Sequence, residues 1–191
     1  MKLIDLFLGG ENQAKSFPDE PMNPADALKK SFSLLSGGNE KVTATIADCL
    51  SDTRKYYSSH SEWLEKRGLQ YSAEAEPWLC VIAAVESCVA NGLLHELKSD
   101  CTADEFITAL KAALRSAGIV FSPANLTFDS QKSLAAWTRQ FNEYAGQSGI
   151  TLYFVDLYSK DLVMGAALIA DYAEAAETAG FAGVKITSRP G

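Results

Sequence analysis

Three residues have the type and setting for acid/base chemistry. Asp156 stands alone in an otherwise apolar run, Glu86 lies beside the apolar face of a long helical segment, and His95 follows that segment. A carboxyl removed from water holds its proton to higher pH unless a cation or donor pairs with it, which is how a carboxylate becomes a general acid or base. Such a site predicts one concave pocket holding at least two of these side chains. The competing expectations are a strand-end role for Asp156, paired with a turn or with Lys160, and a solvated helix edge for Glu86.

Sulfur and imidazole offer less. Cys88, His95 and Cys101 fall within fourteen residues, with Glu96 and Asp100 as nearby oxygen donors. Zinc sites need recurring short ligand spacings, and neither a Cys-x-x-Cys nor a His-x-x-x-His pair occurs here, so no metal and no other cofactor is expected. A thiolate nucleophile needs a neighbouring imidazole, and the choice is confined to His60 and His95, neither in a recognisable local setting. No G-x-S-x-G elbow is present. Gly9-Gly10 and Gly37-Gly38 lack the Lys-Ser/Thr of a phosphate loop and make no G-x-G-x-x-G after a strand.

A binding surface is best argued at Tyr56, Tyr57, Trp63 and Tyr71, interleaved with Arg54, Lys55, Lys66 and Arg67. Aromatic and arginine side chains anchor many interfaces. At helical spacing the same residues also serve as core and rim.

The elements that position these residues are legible from periodicity and end signals. Residues 151–158 are β-branched and aromatic, follow Gly149, and read as a buried strand. Residues 162–169 are either the second strand of a hairpin or the start of a long Ala-rich helix. The hairpin is preferred, because Asp171 with Glu174 resembles a helix N-terminus and Gly180 a stop. The helical alternative makes a crossover, with the short strand Val184–Thr187 parallel to the first.

Upstream, helices dominate. Asn23-Pro24 caps one whose face carries Leu28, Phe32 and Leu35, and Gly37-Gly38 ends it. A second starts near Asn39, with Val42, Ile46, Cys49, Leu50, Thr53 and Tyr57 inward and Asp48, Asp52 and Lys55 outward. Residues 77–91 are apolar over most of the circumference, which predicts a central helix packed on two sides. Thr102 to Glu105 is a capping box ahead of the stripe Phe106, Ile107, Leu110, Leu114 and Ala117, closed by Gly118. Asp129 or Ser130 is expected to open a last helix bearing Leu134, Trp137, Phe141, Tyr144 and Ala145. Residues 93–97 and 119–121 read as short strands. The fold class is therefore α+β: a mostly helical first three quarters packed on a small sheet formed largely by the C-terminal strands.

An apolar content of 47% over 191 residues suits one domain, 1–191, with residues 9–23 a loose segment behind a short N-terminal arm. That arm carries charge within its apolar patch and lacks the length of a signal-peptide core, so export by that route is not expected. No run is long enough to span a bilayer. The four cysteines show no scaffold pattern and read as reduced and cytosolic, with a bridge in an oxidising compartment as the alternative. Of the net charge of −7, −4 falls in residues 71–149. Nucleic acid and anionic membranes need basic patches, so neither is expected as a partner; a basic protein is.

The C-terminal pattern of residues 152–163, Asp171 to Gly180 and Val184 to Ile186 resembles the closing unit of small bacterial α+β domains of unknown function. Some proteins of that size and acidity are immunity proteins, which neutralise a toxin. The resemblance implies no catalytic residues. The expected function is a non-enzymatic cytoplasmic protein-binding module, an immunity-type protein in its most specific form, whose acidic surface covers a basic toxin. An enzyme using Asp156 or Glu86 with His95 is the alternative, and a self-associating protein the third expectation.

Overall fold

The computed structural model describes residues 22–66, 68–72, 75–122, 126–157 and 161–190, with Trp63, Lys66 and Asp161 described by backbone alone. The loose segment expected at 9–23 therefore lies, but for its last two residues, outside the described residues. In chain order the elements are α1 (Pro24–Leu35), α2 (Glu40–Ser51), α3 (Thr53–Lys66), α4 (Glu76–Ala90), β1 (His95–Lys98), α5 (Ala103–Ser116), α6 (Leu134–Ala145), β2 (Ile150–Asp156), β3 (Asp161–Leu168), α7 (Ile169–Phe181) and β4 (Lys185–Thr187). The fold is α+β, and three of the four described strands come from the C-terminal quarter.

The sheet order is β1-β3-β2-β4, and every neighbouring pair is antiparallel. The hairpin is realised, with Ile150 opposite Leu168 and Val155 opposite Val163. The crossover alternative fails because β4 runs against β2, pairing Phe154 with Thr187.

Helices cover both faces of the sheet. Leu152, Phe154, Met164 and Ala166 pack with Phe106, Leu110, Trp137 and Phe141 of α5 and α6. Tyr153, Val155 and Val163 pack with Phe32, Ile46, Val85 and Ala175 of α1, α2, α4 and α7. This explains the unbroken apolar reading of β2: six of its seven residues are buried, because neither face meets water. Burying one such aliphatic or aromatic side chain stabilises the fold by about 1.5–3 kcal/mol.

Several helix ends differ from expectation, each for a local reason. Helix α7 begins at Ile169, not at Asp171, because the Ile169 N–H donates to the Gly149 carbonyl at 2.8 Å and the hairpin itself completes the turn. Asp171 sits in the first turn, where its charge suits the helix dipole. Gly180 lies inside the helix, and the reversal falls on Gly183, at φ +71°. Helix α6 is capped by Ser133 rather than by Asp129 or Ser130. Asp129 instead accepts from the Gln131 N–H through its side chain and from Trp137 Nε1 through its carbonyl.

The segment read as one helix from Asn39 to Tyr57 is two. Asp52 takes φ −156° and ψ 84°, and its side chain accepts from the Lys55 N–H, which starts α3. On α4 Val81 and Val85 are as buried as Cys80, Ala84 and Cys88, so the helix is packed on two sides, while Trp78, Ile82 and Val89 are half-buried. Residues 119–121 form no strand, and Ala117 is an exposed C-cap instead of part of the core stripe.

The capping box at Thr102 is present. Its hydroxyl accepts from the Glu105 N–H at 3.3 Å, and Glu105 Oε2 accepts from the Thr102 N–H at 2.7 Å. Thr102→Ala is expected to cost about 1 kcal/mol, read as a lowered urea midpoint with an unchanged slope.

Candidate functional site

Asp156 closes β2 and faces Lys185, the first residue of β4. The ladder sets them side by side, with Lys185 Nζ 3.4 Å from Asp156 Oδ2. Exposed pairs of this kind contribute about 0–1 kcal/mol. Both line a cavity of about 550 Å³ with Tyr172, Ser188 and Arg189. Lys185 and Arg189 give this cavity two cations to one carboxylate, a set that suits an anionic group. Lys160, the partner expected from the sequence, lies outside the described residues.

His95 stands on β1 opposite Met164, on the α5 side of the sheet. Its Nε2 lies 3.5 Å from Ser116 Oγ, whose hydroxyl donates to the Ala112 carbonyl at 2.7 Å. Burial pulls the imidazole below its ordinary pKa, and a hydrogen bond to the Ala112 backbone opposes this. His95 and Cys101 line the same groove of about 560 Å³, together with Asp104 and Glu105. Burial, and then the charges of Glu105 and Asp100, push the Cys101 thiol up, so the groove holds a thiol and not a prepared thiolate. Cys88 packs on the opposite face of the sheet, where burial raises its pKa to about 12. Among the described residues no group of three His, Cys, Asp or Glu side chains is placed to hold a metal ion.

Glu86 is half-buried on α4, with its charge felt by Tyr56. It lines neither cavity. The topology keeps the three acid/base candidates apart: Asp156 pairs with one edge strand, His95 occupies the other, and Glu86 belongs to a helix across the sheet from His95.

The aromatic set is brought together only in part. Tyr57 and Tyr71 meet with ring centroids 5.5 Å apart, and their hydroxyls donate to the Leu69 carbonyl at 3.4 Å and to Glu76 Oε1 at 2.5 Å. The bond to Glu76 raises the Tyr71 pKa. Tyr56 turns away to stack on His60 at 4.2 Å; burial, and then Cys49 and Cys80, push its pKa up to about 12. The Trp63 side chain lies outside the described residues. Tyr56 and Tyr57 pack against the main core, and Tyr57 and Tyr71 fasten α3 and its following loop to α4.

The surface that sequence reasoning missed is α7. Leu168, Ile169 and Phe181 are 49, 43 and 48% exposed. Ile169, Ala173, Glu177 and Phe181 recur every fourth residue, and all four are exposed, so they form one outward stripe. That spacing was available as a signal. A strand reading of Ile169 and a stop at Gly180 hide it.

A family model described as "Domain of unknown function (DUF6630)" matches residues 27–190. No curated protein and no solved structure matches the chain. Among the described residues, no helix is long and apolar enough to cross a membrane.

Proposed function

We propose that this chain, which belongs to the DUF6630 family of domains of unknown function, acts in the cytoplasm by binding a basic protein and not by catalysis. The solvent side of α7 carries the reading. Large apolar side chains stand in water at both ends of the helix, Leu168 and Ile169 at one and Phe181 at the other. Every charge the helix supplies is acidic: Asp171, Glu174 and Glu177. Lys30 of α1 reaches Glu174 at 2.8 Å, and both side chains remain about half exposed. Apolar contacts give affinity, while a row of one charge sign speeds encounter with the opposite sign and rejects like-charged partners. An immunity-type protein that covers a basic toxin is the form we favour, because such an inhibitor needs an acidic exposed surface and no turnover site.

A second reading, a carboxylate acid/base enzyme, is favoured by one observation: Asp156 lines a cavity of about 550 Å³. Against it, neither Glu86 nor His95 lines that cavity.

The test is affinity capture from native lysate at low and high salt, comparing the wild type with Phe181→Ala and Glu177→Lys, both at exposed positions. One stoichiometric basic protein is expected, released by salt and bound about tenfold or more weakly by each variant. A bait empty at low salt, or a partner held equally by the variants, would overturn the proposal. So would a wild-type dimer that the same substitutions dissociate, since α7 would then face a second copy of the chain.

A further inference from the structure

Two cysteines far apart in sequence meet inside the helical layer. Cys49 on α2 and Cys80 on α4 are both buried, with sulfurs 3.2 Å apart. Both are free thiols. The separation is inside ordinary contact for two sulfur atoms, and one thiol donates a hydrogen bond to the other. We propose that Cys49 and Cys80 form an oxidisable dithiol, a modification site at which a peroxide joins α2 to α4 through a disulfide. The inference stands independently of the binding role of α7.

Geometry, access and chemistry each support it. A disulfide needs the sulfurs at about 2.05 Å, so the pair must close by only about 1.1 Å, a displacement that side-chain torsions on two packed helices can supply. The site is reached through a cavity of about 360 Å³ lined by Cys80, Thr53, Glu76, Pro77, Leu50 and Asn23. That space admits a small peroxide, and Cys80, not Cys49, lines it. Cys80 is also the better nucleophile. The Cys49 and Thr53 side chains hydrogen-bond to it and lower its pKa against the opposing effects of burial and of the Glu76 charge, while the Cys49 pKa is raised. Of the two thiols, Cys80 is therefore the one placed to give up its proton and meet an oxidant in the cavity. Cys88 and Cys101 have raised pKa values, and neither lines this cavity.

The chemistry closes with hydrogen peroxide as oxidant. The Cys80 thiolate attacks one peroxide oxygen, the O–O bond breaks, and hydroxide leaves, giving Cys80 sulfenic acid. Cys49 sulfur then attacks the Cys80 sulfur, the S–O bond breaks, and the oxygen leaves as water with the thiol proton. Overall, two thiols lose two electrons and two protons, and one peroxide becomes two waters. Since the resolving thiol lies 3.2 Å away, disulfide formation should outrun further oxidation to sulfinic acid.

The experiment treats the reduced full-length protein with one to several equivalents of hydrogen peroxide, followed by alkylation under denaturing conditions and mass spectrometry. The expected result is a fall from four alkylatable thiols to two. Tryptic peptides 42–54 and 68–98 should be joined through Cys49 and Cys80, and a thiol reductant should restore all four thiols. Cys88→Ala/Cys101→Ala keeps the pair and should lose both remaining thiols at the wild-type rate. Cys49→Ser should instead accumulate sulfenic and sulfinic acid on Cys80. If Cys101 oxidises first with Cys49 and Cys80 still free, or if the bridge joins Cys49 to Cys88, the proposal is wrong. The Cys88→Ala/Cys101→Ala protein decides the matter even where Cys49→Ser fails to fold.

Discussion

Asn142→Ala is expected to destabilise the protein by about 3 kcal/mol, at roughly 1 kcal/mol for each hydrogen bond removed. The side chain leaves α6 and takes the place of a strand residue. Its Oδ1 accepts from the Leu152 N–H at 2.7 Å, and its Nδ2 donates to the carbonyls of Leu152 at 3.3 Å and Ser188 at 3.1 Å. The reason lies in register. Strand β4 covers only Phe154–Asp156 of β2, so Leu152 lies beyond its reach, and the Asn142 amide continues the ladder. Ala would remove the acceptor of the Leu152 N–H, leaving the Leu152 carbonyl with the Thr151 hydroxyl at 3.0 Å. For a chain of this size the melting temperature should fall by about 6–12 °C. Asn142→Asp sharpens the test, since it keeps the acceptor and sets a carboxylate against two carbonyls. Those carbonyls would raise the carboxyl pKa in the folded state. The Asp variant would therefore be most stable below the unfolded carboxyl pKa and lose stability as pH rises through the folded value. Urea titration of both variants, with hydrogen exchange at Leu152, checks this; a loss below about 1 kcal/mol for Asn142→Ala would mean that water replaces the amide.

Asn142 also marks where sequence reading stops. The face of α6 was legible from Leu134, Trp137 and Phe141, because burial repeats with the helix period. A polar residue off that face reads as solvent-exposed, and only the tertiary arrangement reveals that it meets a strand ten residues on. The hairpin was legible because Asp171 and Glu174 signal a helix start just beyond residues 162–169, which leaves that apolar run to pair as a strand. Its junction with α7 was not, since the partner of the Ile169 N–H is a backbone carbonyl, not a side-chain cap. The same reason explains Asp52, where an inward-outward pattern continues across a break made by backbone angles.

Residue type and local setting, which single out the acid/base candidates, carry no information about which sheet edge or face a residue occupies. His95 and Asp156 ended on strands separated by sheet order, and Glu86 on a helix across the sheet from His95. The Cys49–Cys80 contact was invisible for a related reason. Each cysteine sits on an apolar helix face, where a thiol behaves as a small hydrophobe. The stripe on α7, by contrast, was written in the sequence as Ile169, Ala173, Glu177 and Phe181, and was lost because a helix bounded by Asp171 and Gly180 leaves out both of its apolar ends.

Gly165→Ala should cost about 3 kcal/mol, at the upper end of ordinary overpacking. This glycine sits mid-strand in β3, where an alanine would normally be an improvement worth about 0.5–1 kcal/mol. It is there for space, not for backbone freedom, since its φ is not among the positive ones. It lies opposite Tyr153, and a Cβ would stand 2.4 Å from both Cζ and the hydroxyl of that ring and 2.8 Å from Leu94 Cδ2. Tyr153 is fully buried, with its ring against Tyr172 at 6.3 Å, so it has little room to move. Burial also holds its pKa well above the usual tyrosine value, and among the described residues its hydroxyl finds no hydrogen-bond partner. Tyr153→Phe should therefore be neutral or stabilising, because a buried hydroxyl without a partner costs about 1–3 kcal/mol. The decisive measurement is a double-mutant cycle between Gly165→Ala and Tyr153→Leu. The shorter side chain makes room for the Cβ, so Gly165→Ala should cost about 2 kcal/mol less there than in the wild type. Equal costs in the two backgrounds would show that the sheet shifts around the methyl, and that the Tyr153–Gly165 fit does not hold β3 in place.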